Sequence, residues 1–195
     1  MKLIVLGLGN PGQQYTNTRH NVGHSFIDYF SNLNDSVFEK KTHFLISQCL
    51  HFQTKIILLK STSYMNHNGH GLSNFLRKWL LPQDIFLVIH DELNLALNKI
   101  KLSSGKGAGG HKGVLSIIQE LGFPPLRMRV GINTTQSSQT NVSDYVLANF
   151  SASEKDSINN LYPKVVHAIH LLCDRGLSAA TNYINRYPIP TPPQL

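Results

Sequence analysis

Two short runs, Leu3-Ile4-Val5-Leu6 and Ile85-Phe86-Leu87-Val88-Ile89, are apolar at every position. Each is too short for an ordinary helix and neither alternates, so both read as buried strands. Such strands need cover on two sides, and the rest of the chain supplies it. Segments of helical periodicity alternate with aliphatic and β-branched runs, the pattern of an α/β layering rather than a bundle or a sandwich. Phe26, Ile27, Phe30 and Leu33 mark a helix over 21–33, and Leu72, Phe75, Leu76 and Trp79 mark one over 69–80, closed by Pro82. Val114, Ile117, Ile118 and Leu121 mark a third over 113–121. Residues 44–50 and 55–60 are expected to pair as a hairpin, and 99–102 and 127–132 are further strands, the last with its basic residues turned outward.

Ser151 followed by Glu154 is a capping-box signature for a long helix through Cys173, which Pro163 kinks or divides. Gly176 stops it before a short helix at 178–184. The expected architecture is a single-domain three-layer α/β/α sandwich on a mixed, mostly parallel twisted sheet over residues 1–187. Pro188, Pro190, Pro192 and Pro193 make 188–195 an extended Pro-rich tail. A chain of 195 residues can bury enough surface to need no disulfide or metal staple. Cys49 and Cys173 form no C-x-x-C pair, which points to a reducing, cytoplasmic setting. The opening apolar run stops at Gly7 and a turn follows with no cleavage-type motif, so it reads as a strand and not as a signal peptide. No run reaches the ~18–20 apolar residues of a membrane span. Eighteen Lys+Arg against eleven Asp+Glu leave a net charge of +7, which suits a polyanionic partner.

The chemistry gathers at strand ends. Gly7-Leu8-Gly9-Asn10-Pro11-Gly12 matches G-x-G-x-x-G, the dinucleotide fingerprint, but Pro11-Gly12 makes a turn instead of opening a helix. No acidic residue ends a following strand at the required distance, so no nicotinamide or flavin is expected. The glycines instead place Asn10 at a strand's carboxyl end, where an α/β sheet opens its crevice. The glycine-rich stretch 105–113 leads into a helix and is ringed by Lys99, Lys101, Lys106 and Lys112, with Arg127 and Arg129 on the next strand; that grouping suits phosphates. The pairs His20/His24, His67/His70 and His167/His170 lack the acidic or Cys partners of a zinc pattern. Asp91, in His90-Asp91-Glu92, reads either as a cap or turn residue or as a carboxylate facing the crevice. Of Asn66 and Asn68, one is expected to cap the following helix while the other points inward. Asn10, Asn66 and Asp91 thus sit at the edges of three strands with His20 nearby, a set able to bind and activate water.

Gly7-Leu8-Gly9-Asn10-Pro11-Gly12-x-x-Tyr15-x-x-Thr18-Arg19-His20-Asn21-x-Gly23 closely resembles the N-terminal signature of the bacterial peptidyl-tRNA hydrolase family. Tyr64-Met65-Asn66-x-x-Gly69, His90-Asp91-Glu92-Leu93 and Gly109-Gly110-His111-x-Gly113 resemble its later blocks, in order and at its spacing. The resemblance implies hydrolysis of the ester between a peptide and the tRNA 3′ ribose, with no metal or organic cofactor and with tRNA as partner. By position, His20 is the implied general base, Asp91 its orienting carboxylate, Asn66 the group that positions water and the substrate carbonyl, and Asn10 the neighbour of the acylated nitrogen. Tyr15 and Tyr64 would line the 3′ end, with Lys101 and Arg129 at positions where the family tends to be basic. The fourth block usually reads Gly-Gly-His-Asn-Gly, whereas Lys112 stands here in place of the Asn. A donor-only cation then replaces an amide, expected to contact a tRNA phosphate or the 3′-terminal group. A monomer is implied by the same likeness. A second reading is a non-catalytic RNA-binding relative of the same fold, which Lys112 alone would favour.

Overall fold

The two apolar runs lie side by side. In the computed structural model, which describes residues 1–105, 107–134, 137 and 141–186, β1 (Lys2–Gly7) pairs in parallel with β5 (Ile85–Ala96), Leu3 opposite Ile85 and Gly7 opposite Ile89. On its other side β1 pairs in parallel with β4 (Thr54–Ser61), which forms the expected hairpin with β3 (Phe44–His51). A two-residue strand β2 (Glu39–Lys40) adds to that edge, and β7 (Leu126–Asn133) and β6 (Ile100–Ser104) complete a seven-stranded sheet of order β2-β3-β4-β1-β5-β7-β6. The strands β2, β4, β1, β5 and β7 run one way, and β3 and β6 the other.

The double burial of the central strands follows from their alternation. Leu3, Val5, Leu87 and Ile89 face α1 (Val22–Leu33), α5 (Ala152–Asn159) and α6 (Tyr162–Arg186), meeting Phe26, Phe30, Ile158, Val165 and Ile169. Ile4, Leu6, Phe86 and Val88 face α2 (Leu72–Trp79) and α3 (Lys112–Leu121), meeting Leu72, Leu76, Val114 and Ile117. A last short helix, α4 (Val142–Leu147), packs Tyr145 and Val146 on Ile132 at the end of β7.

Four expectations change. The strand read as ending at Ile89 continues to Ala96: β1 stops at Gly7, but β7 keeps pairing, with Asp91 opposite Val130, so Asp91 is a strand residue. The helix from Ser151 is divided, one of the two outcomes read for Pro163, but the break lies ahead of the proline at Asn160-Leu161; Pro163 itself falls in the first turn of α6, where its missing N–H is harmless. Neither Asn66 nor Asn68 caps α2, whose N-cap is Gly71 in the left-handed region. Arg127 does not turn outward. It is 6% exposed, with Gly105 packed so closely that a Cβ there would meet the guanidinium. The capping box at Ser151 and the break at Gly176 (φ 78) stand as read, while Lys106 and the tail 188–195 lie outside the described residues.

Candidate active site

At the carboxyl end of β1 the chain turns sharply, and its glycines there serve close packing. A Cβ on Gly7 would lie 2.3 Å from the Gly23 carbonyl, so α1 can seat against the strand only because both residues lack side chains. The amides of this turn are occupied: Gly9 N–H donates to Asn68 Oδ1 and Asn10 N–H to Asn21 Oδ1. They are not free to bind a pyrophosphate. Asn68 also donates to the Ser63 carbonyl, tying the end of β1 to the segment after β4. Met65 N–H donates to Asn10 Oδ1 at 2.7 Å, which fixes the amide's orientation and leaves Nδ2 as its donor.

The turn Arg19–Asn21 brings His20 over Asp91. His20 Nδ1 lies 2.9 and 3.0 Å from the two carboxylate oxygens, 71 residues away in sequence. A second imidazole reaches the same group, with His111 Nε2 2.8 Å from Asp91 Oδ1. Burial resists ionisation of Asp91, yet the adjoining His111 and His20 imidazoles and their hydrogen bonds hold its carboxyl well below the usual carboxylate range. An ionised carboxylate only accepts, so both imidazoles point N–H at it. In its neutral form His20 therefore carries its proton on Nδ1 and leaves Nε2 as an acceptor.

His111 is differently occupied. It is the N-cap of α3, and its Nδ1 accepts from the amides of Gly113 and Val114 at 3.2 and 3.3 Å. Both nitrogens are engaged, which excludes His111 as a base. His20, Asp91 and His111 also bring one donor atom each to within 4.8 Å of one another, a spacing that an ion could use. For His111 to ligate through Nε2, however, its proton would have to move to Nδ1 and face two amide N–H groups, so the trio fits a hydrogen-bonded relay better than a ligand set.

These groups line a cavity of about 1080 Å³, together with Asn10, Tyr15, Tyr64, Asn66 and Lys112. Tyr15 and Tyr64 meet edge to face at 6.2 Å, and Tyr64 and Asn66 are exposed at the rim. Seven of the nine candidate residues thus line one cavity. Lys101 and Arg129 stay outside its walls, side by side across β6 and β7, and Arg129 reaches it only through Glu92 at 3.4 Å. Sequence reading left His111 without a role and missed the wall formed by Leu93, Val142, Val146 and Leu147. Both carried a signal, His111 by standing just before a helix and α4 by the cap residue Asn141, whose side chain accepts from Ser143 N–H.

The family model described as peptidyl-tRNA hydrolase matches residues 4–192. The chain belongs to the peptidyl-tRNA hydrolase family. It is 33% identical to the peptidyl-tRNA hydrolase of Thermodesulfovibrio yellowstonii over 94% of this chain and 99% of that one. It is 36% identical to that of Fervidobacterium nodosum, over 97% and 99%. Among solved structures, peptidyl-tRNA hydrolase in complex with N-propanol superposes with a TM-score of 0.87 at 28% identity, covering 96% of each chain. The Acinetobacter baumannii peptidyl-tRNA hydrolase gives 0.86 at 28%, covering 94% of each. Membership makes this chain an enzyme, a hydrolase of peptidyl-tRNA, built as the mixed α/β sheet read from its sequence.

Proposed function

We propose that His20 is the general base of an ester hydrolysis at the peptidyl end of tRNA. The observation that carries this is His20 Nδ1 held 2.9 Å from the Asp91 carboxylate, which in the neutral ring leaves Nε2 to accept a proton, while His111 has both nitrogens engaged. Water held near Nε2 attacks the ester carbonyl carbon as its proton passes to the imidazole. Asp91 stabilises the imidazolium that results. The tetrahedral intermediate then expels the ribose 3′ oxygen, which takes the proton from Nε2, leaving a free peptide carboxyl and a free tRNA 3′ hydroxyl.

Asn66, exposed at the rim, positions the water and the carbonyl. Asn10 offers Nδ2, a donor that suits the carbonyl of a preceding peptide bond and repels a free ammonium, so aminoacyl-tRNA is spared. Tyr15 and Tyr64 give the terminal base and ribose faces to stack on. Lys112, and beyond the cavity Lys101 and Arg129, take phosphates. Action as a monomer without metal or cofactor belongs to the same reading, as the family resemblance implies. No helix of the described residues is long and apolar enough to cross a membrane. The cytoplasmic setting and the single domain remain as read from the sequence.

The test is release of N-blocked amino acid from charged tRNA by the purified protein. His20→Ala is expected to lower kcat by about 10²–10⁴-fold with little change in KM. An unchanged kcat would remove His20 from the chemistry.

A further inference from the structure

The residue before His20 is a guanidinium buried among groups from both neighbouring helices. Arg19 is 4% exposed, and its Nη2 donates to both oxygens of Glu154 at 2.9 Å. Its Nη1 donates to the Tyr145 and Ala148 carbonyls, both at 3.3 Å, at the open carboxyl end of α4. The Tyr145 ring lies 4.3 Å from its central carbon. Glu154 Oε2 also accepts from Ser151 N–H at 2.7 Å, so one carboxylate both closes the capping box of α5 and holds Arg19.

Main-chain contacts run through the same corner. Arg19 N–H donates to the Ala148 carbonyl, Phe150 N–H donates to the Asn17 carbonyl, and Thr18 bridges Asn149. The turn that carries His20 is only three residues long and leans on the α4–α5 corner on one side and Asp91 on the other. Stability alone is a poor reason for such a pair, since apolar residues of similar volume often hold a core as well. Geometry is the better reason, because α4 also supplies Val142, Val146 and Leu147 to the cavity.

We propose that Arg19 is a positioning residue whose forked pair with Glu154 sets the base and the α4 wall in one register. The inference rests on His20 being the base. Misplacing a reacting group by about 1 Å can lower a rate about 10²-fold, so a loosened fork acts on kcat first.

Two variants separate this from a purely structural role. Arg19→Lys keeps the charge and loses the fork, while Glu154→Gln keeps the capping box and loses a carboxylate oxygen. kcat and KM for N-blocked aminoacyl-tRNA are measured well below each variant's unfolding midpoint, with imidazole 15N NMR reporting the His20 tautomer. The expected result is a kcat lowered about 10- to 100-fold, KM within about twofold, and loss of the single Nδ1–H tautomer. The double variant should be no worse than the weaker single, because both break one link. Full kcat in the folded variants, or losses that simply add, would overturn the inference even if melting temperatures fall. His20→Asn is run alongside: turnover retained by that variant would overturn the assignment of the base itself, whatever Arg19 does.

Discussion

Asp91 is asked to do two things at once. It accepts from His20 and from His111, and its ionisation fixes both tautomers. Asp91→Asn offers a single acceptor oxygen and an amide donor, so one imidazole must turn its N–H away. The expected outcome is a kcat lowered by about 10²–10⁴-fold with substrate affinity nearly unchanged, read from saturation kinetics. A different histidine governs pH-dependent stability. His24 packs its ring over Gly9, and burial first, then the charge of Lys60, lowers its pKa from 6.5 to about 3. Between those values the unfolded chain holds a proton that the native chain does not, so stability is complete above 6.5 and is lost as pH falls towards 3. From pH 7 to pH 5 the loss from His24 is about 2 kcal/mol. His24→Phe keeps a ring over Gly9 and should flatten this part of the profile, measured as urea midpoints at the two pH values. An unchanged slope would mean that other groups carry the dependence, buried His90 foremost because its pKa is lowered by burial and by His111 in the same sense.

Lys112 opens α3 with a positive charge, at the end where the helix dipole is already positive. A local preference broken beside a cavity is a mark of function. Lys112→Glu is therefore expected to raise stability by about 0.3–1 kcal/mol in thermal unfolding while weakening substrate binding, a trade that a solvated lysine without a role would not make. The elements themselves were legible wherever one signal acted alone. Leu3-Ile4-Val5-Leu6 had to be buried on both faces, and the stripes of α1, α2 and α3 turn to the sheet, except that Leu33 at the end of α1 stays 56% exposed. What escaped reading depended on partners distant in the chain. β5 runs through the polar His90-Asp91-Glu92 because β7 continues to pair with it, and Arg127 is inside because Gly105 closes over it. Of the site, His20 and Asp91 could be proposed from motif; His111 stood in a motif and just before a helix, but its contact with Asp91 was not legible, because it depends on α3 being carried to the end of β5.

The layering sets how charge and chemistry are divided. Helices cover both faces of the sheet, so the cavity opens where β1 ends and β5 continues, with His20, Asp91 and His111 around it. The cationic row of Lys101 and Arg129 lies across β6 and β7, outside the cavity, and Glu92 spends part of the Arg129 charge. Under the proposed roles, Lys101 and Arg129 grip phosphates outside the cavity while the ester is broken inside it, so salt should act on binding far more than on the chemical step. Each phosphate contact contributes a slope of about 0.7–0.9 to the dependence of log affinity on log salt. With a net charge of +7 spread over the chain, KM for charged tRNA should rise steeply between 50 and 200 mM salt while kcat stays constant. Lys101→Ala should then lower the slope by about 1 and leave kcat alone, because its ammonium is exposed and touches none of the reacting groups. Arg129→Ala should give a smaller change in slope, since Glu92 already offsets that guanidinium, and should also disturb Glu92 at the cavity wall. Equal slopes for the unaltered protein and Lys101→Ala would place the phosphate path elsewhere on the surface, with the chemistry at His20 untouched.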